Sequence, residues 1–166
     1  MEIPAAVTTY DISLWIHISA VVAGLGITFA EAVMFPLAMK TDPRNLPFVF
    51  RMQIIINRYF ANPALALIII TGIYQVIEYD WGFEKFWISA TFLIVFILGG
   101  LTGGYFIPTD KKLEAMVTEE IKAAGDGPVE LSDEFLAKSR VEGMVGALTG
   151  VLIIIAIFLM VAKPGA

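Results

Sequence analysis

Residues 143–162 read GMVGALTGVLIIIAIFLMVA, twenty in a row without one charged side chain. An α-helix rises about 1.5 Å per residue, so this run alone crosses a hydrocarbon layer of roughly 30 Å. Three other stretches have the same character, at about 13–36, 59–78 and 86–107. Lipid offers backbone amides no partner, so such segments must be helices that complete their own hydrogen-bond ladders. The expected fold is all-α: a polytopic membrane four-helix bundle, one transmembrane domain over residues 1–166.

Composition points the same way. Of 166 residues, 58% are hydrophobic and only 16% charged, and the mean hydropathy is +0.79, well beyond a soluble domain of this length. The lipid bilayer is therefore the expected partner. A net charge of −5 gives no case for nucleic acid. The absence of cysteine excludes disulfides, thiolate metal sites and a cysteine nucleophile. The first span is too long for a signal peptide and follows Glu2 and Asp11 where a signal carries basic residues, so it is expected to be retained.

Basic residues set the expected orientation. Lys40, Arg44, Arg51 and Arg58 lie between spans one and two, and Lys111, Lys112, Lys122, Lys138 and Arg140 between three and four. Only Lys85 and Lys163 lie on the opposite side, which puts both termini outside and the longer links in the cytoplasm. Trp15, Trp81 and Trp87 then form an outer aromatic belt with Tyr10 and Tyr79, and Phe35, Tyr59, Tyr105 and Phe106 an inner one.

The cytoplasmic link 108–142 is the one sizeable hydrophilic piece. Its stretch TDKKLEAMVTEEIKAAGDG (109–127) repeats apolar residues at helical spacing, with Thr109 or Asp110 as cap and a stop at Gly125, so an amphipathic cytoplasmic surface helix is expected between the third and fourth spans. Ser132 is the expected N-cap of a helix running into span four. GGLTGG (99–104) and GMVGALTG (143–150) carry small residues four apart, which predicts close approach of spans three and four, or a homodimer or membrane-complex partner docking on those glycine faces. Pro63, in RYFANPALALIIITGIYQ (58–75), predicts a kink near Asn62.

Two ionisable residues stand inside span one, in LWIHISAVVAGLGITFAEA (14–32). His17, Gly24 and Glu31 recur every seven residues and share one face, drifting only about 20° per step. An ionisable group at that depth points inward and finds a partner. Arg58 is the expected structural ion-pair partner of Glu31, with Arg51 as second choice. His17, the only histidine, has Lys85, Ser89, Gln75, Tyr74 and Met160 at similar depth. It could be hydrogen-bonded filler or a single axial haem ligand, the one metal role open to it.

The stretches LWIHISAVVAGLG, RYFANPALALIIITGIYQ, WGFEKFWISATFLIVF (81–96) and IFLMVAKPG (157–165) resemble the superfamily of small bacterial membrane proteins that includes HemJ-type protoporphyrinogen oxidases and copper-resistance protein D domains. The similarity looks closest to a branch of four-helix membrane proteins defined as a domain of unknown function. It implies a multi-pass protein of the bacterial or archaeal cytoplasmic membrane, with haem or a porphyrin as cofactor. It implies His17 and Lys85 as the cofactor-binding pair, His17 being the metal ligand if haem is bound. Arg58, Pro63, Lys163 and Pro164 match other positions of that pattern. Two alternatives stand beside porphyrin binding: a non-catalytic accessory or structural membrane subunit, and a metal-ion or small-solute transporter. No catalytic residue is nominated. The seven methionines form no pair suited to copper(I).

Overall fold

A computed structural model describes residues 6–165. Four long helices account for almost all of them: α1 Thr9–Thr41, α2 Pro43–Glu78, α3 Phe86–Ala124 and α4 Asp133–Ala162, each long and apolar enough to cross a membrane. Tyr74 donates to Thr9 at 3.0 Å and the Lys163 ammonium lies over Trp81, so the first and last turns of the bundle share one end, here the terminal end. The α1–α2 and α3–α4 connections lie at the other, the loop end. Outward-facing Val33, Ile70, Leu93, Phe96, Ile154 and Phe158 are all more than half exposed, an apolar coat suited to lipid.

Local signals set the helix ends. Thr8 and Asp11 form a reciprocal capping box at the start of α1. Asp42 accepts from the Arg44 amide at 2.9 Å and opens α2. Ser132 accepts from the Phe135 amide at 3.2 Å, so it caps α4 as its sequence position implies. Asp80, Gly82 and Gly125 supply the positive φ values that the turns require.

The helices are longer than the hydrocarbon layer needs. At about 1.5 Å per residue, α2 and α3 reach roughly 54 and 58 Å. Their surplus builds a second core at the loop end from Leu46, Val49, Phe50, Leu113, Val117 and Phe135, all buried. The expected surface helix at 109–124 is therefore an unbroken continuation of α3 with no cap at Thr109 or Asp110. Its apolar stripe faces α2 and α4, and Arg51 pairs with Glu114 at 2.5 Å on its flank. Residues 37–58, read as a link, are likewise largely helical.

Three wide π-type turns interrupt the α pattern: Val21–Leu25, Asn57–Ala61 and Leu101–Phe106. The latter two end two residues before Pro63 and Pro108. Proline has no amide to donate and crowds the carbonyl four residues back, and a wider turn relieves both problems. The irregularity expected at Pro63 is thus a local widening, and the turn Asn57–Ala61 packs against each of the other two.

The glycine prediction needs correction. A Cβ placed on Gly99, Gly100, Gly103, Gly104, Gly143 or Gly146 would meet nothing within 4 Å, so these residues do not bring α3 and α4 together. The close approach is between α1 and α2, where a Cβ on Gly24 would collide with the Ala64 methyl. Trp87 also departs from its expected belt position. It is 2% exposed and packs into the core against Trp81. Gly24→Val should lower stability by about 1–3 kcal/mol through overpacking, whereas Gly143→Ala should be near neutral. Thermal unfolding of both variants in detergent measures the contrast.

Candidate functional site

Two cavities hold the polar residues that the spans bury. The terminal-end cavity is built around His17, which is 8% exposed. Thr71, one turn before Gln75 on α2, gives its hydroxyl proton to the Leu67 carbonyl at 2.6 Å. Its oxygen can then only accept from the His17 ring, whose Nδ1 lies 2.7 Å away. A neutral imidazole with its proton on Nδ1 leaves Nε2 as a bare acceptor. Gln75 donates to Ser13 at 3.4 Å beside this pair. The remaining wall is mostly apolar, with Gly72, Trp81, Phe92 and Met160, but it also holds Thr91 and Trp87, whose indole N–H has no hydrogen-bond partner.

Of the partners expected for His17, Gln75 and Met160 share its cavity, whereas Lys85 does not line it. Lys85 occupies the N-cap position of α3, and the inward position is taken two residues later by Trp87. The cation beside this cavity is Lys163, in the left-handed residue that ends α4. Its ammonium lies 4.2 Å from the Trp81 ring centre and 5.6 Å from that of Trp87. Thr71 was not singled out in the sequence, because a threonine in an apolar helix ordinarily bonds its own preceding turn. That bond is present here and fixes the histidine.

A bare Nε2 is the chemistry of an axial haem ligand, but the surroundings do not fit a porphyrin. The cavity holds about 40 Å³, room for a few water molecules, whereas pockets for drug-sized ligands run to about 300–1,000 Å³. Met160 is the one other side chain of that lining able to ligate a haem iron, and among the described residues no three His, Asp or Glu side chains converge to hold a metal.

The loop-end cavity is larger, about 310 Å³, and lies between all four helices. Its wall carries three acids, Glu31 from α1, Asp110 from α3 and Glu142 from α4, together with Gln53, Asn57, Thr102, Ser139 and Thr149. The Asp110 and Glu142 carboxyl groups are neighbours in this lining, close enough to interact directly. Two ionised carboxylates are both acceptors, so the contact needs a shared proton or an intervening cation. Neither Lys nor Arg appears among the lining residues. Glu31 Oε1, Gln53 Oε1, Asp110 Oδ2 and Ser139 Oγ are buried without a hydrogen-bond partner.

The expected Glu31–Arg58 ion pair is therefore replaced. Arg58 belongs to the wide turn Asn57–Ala61, in which Asn57 points inward, 8% exposed, and Arg58 outward with its guanidinium 5.6 Å from the Tyr59 ring centre. Arg51, the second choice, is engaged by Glu114. Glu31 instead faces the other two acids. Asp110 and Glu142 flank spans three and four by three residues and one, Asp110 at an expected helix cap and Glu142 at the end of the link. Their signal was a match in depth to Glu31 at the same membrane face.

The model of a family described as predicted integral membrane proteins (DUF2269) matches residues 11–164, and the chain belongs to that family. No curated protein and no solved structure matches it. Thr71→Val should leave the His17 Nδ1–H without its acceptor and cost about 1–3 kcal/mol, and Thr71→Ser should restore most of the loss. Unfolding midpoints of the two variants in detergent check the pair.

Proposed function

We propose that this member of a multi-pass membrane family binds a cationic solute in the loop-end cavity and serves as a small-solute or ion carrier. The observation that supports the reading is the meeting of Glu31, Asp110 and Glu142 in a space of about 310 Å³ with no lining Lys or Arg. Uncompensated acids at such a depth are costly, so the cavity favours protons or a cation over an empty, fully ionised state. Proton and cation are then alternatives at one site, which is the basis of exchange.

Orientation completes the proposal. Nine of the eleven basic residues fall at the loop end or in its connections, so this end faces the cytoplasm and both terminal segments lie outside a bacterial or archaeal plasma membrane. The cavity would then load from the cytoplasmic side. Porphyrin binding at His17, as the HemJ resemblance implies, would require α2 and α3 to part around a cavity of about 40 Å³. The accessory-subunit reading keeps the glycine faces at 99–104 and 143–146, which do not pack within the chain and stay open to a second copy or a membrane partner, but no observation says what would cover them.

Proton release tests the carrier reading. Sodium, magnesium, butylammonium and guanidinium chlorides are added in turn to purified protein in weakly buffered detergent solution near neutral pH. At least one should displace cavity protons and acidify the medium, and Glu31→Gln/Asp110→Asn/Glu142→Gln should abolish the response. Acidification that survives in the triple variant, or none with any cation, overturns the proposal.

A further inference from the structure

The geometry points to a small organic cation with several N–H donors, an alkylammonium or guanidinium compound, as the occupant of the loop-end cavity. This rests on the cation-site reading above and narrows it to a substrate class.

The orphaned atoms specify the complement. Glu31 Oε1, Gln53 Oε1 and Asp110 Oδ2 are acceptors without donors, and the Ser139 hydroxyl, in a residue only 6% exposed, is also unpartnered. Ser139 and Gln53 carry no charge, so the demand for donors is not a property of the acids alone. Three acceptors from three helices suit a head group that projects several N–H bonds, as ammonium and guanidinium do. A sphere of charge alone would leave their directions unused.

Size and wall chemistry agree. A bare divalent ion draws oxygen ligands to about 2.0–2.6 Å, yet no three metal-ligating side chains converge among the described residues. The cavity of about 310 Å³ falls at the lower end of the range for small-molecule sites. Phe35 and Phe106 also line it, each one turn from a polar group, and offer a face for an alkyl chain or for the cation itself.

Thermal unfolding of the full-length protein in detergent, at matched ionic strength, distinguishes the classes. Butylammonium or methylguanidinium should raise the midpoint with rising concentration, and tetramethylammonium, with the same charge and no N–H, should not. Ser139→Ala should weaken the apparent affinity by about threefold to tenfold, the loss of one hydrogen bond, and Glu142→Gln should weaken it further. Equal stabilisation by tetramethylammonium, or a response to sodium or magnesium alone, overturns the donor-bearing substrate while leaving the cation site standing. Stabilisation that neither variant alters places the ligand elsewhere and overturns the inference. No response to any cation removes both the inference and the carrier reading.

Discussion

A bilayer interior accepts no hydrogen bond from the chain that crosses it, and the architecture follows from that constraint. Every backbone amide must be satisfied within its own helix, so the chain runs as four long helices joined by short turns. Where proline breaks the ladder, at Pro63 and Pro108, the helix widens and keeps its course. Threonines spend their hydroxyls in the same way: Thr71, Thr91, Thr102 and Thr149 each donate to the carbonyl four residues back. Buried polar groups left over from this accounting are few and concentrated. Among the described residues, four of the six orphaned side-chain atoms belong to residues that line one cavity.

The two ends of the bundle treat burial differently. At the terminal end a single imidazole is held by Thr71 and walled by tryptophan, with Lys163 stacked outside. At the loop end three acids from three helices share one space, and their charge has no basic counterpart in the lining. Span one connects the two through the face that carries His17, Gly24 and Glu31, and its closest contact with α2 falls midway, at Gly24 and Ala64.

The spans were plain from hydropathy, because apolar length is a property of each segment by itself. The inward face of span one was legible as well, since a seven-residue recurrence of His17, Gly24 and Glu31 survives helical drift. Partners were harder to read, because pairing depends on rotation about each helix axis, and one extra residue in a wide turn changes that rotation. Arg58 has the right depth for Glu31 and the wrong direction. Lys85 likewise has the depth of His17, but Trp87 takes the inward position. The glycine runs showed where backbones could approach, while actual approach depended on which faces met, and those at 99–104 face open space. Asp110 and Glu142 sit outside the hydrophobic windows, where one has the position of a cap and the other the end of a link, but the helices continue unbroken past those limits and carry both residues inside.

The wide turns have a consequence for the phase of the whole bundle. Each residue advances a helix by about 100°, so an extra residue held in the turn Leu101–Phe106 sets the angular position of everything after it, Asp110 included. Removing one residue there would force α3 into regular α geometry and bring back the crowding at Pro108. It would also swing its distal half by about a quarter of a revolution, carrying Asp110 from the cavity and Leu113 and Val117 from the second core. The turn therefore acts as a phase key, keeping the membrane half and the loop-end half of one continuous helix each facing its own core.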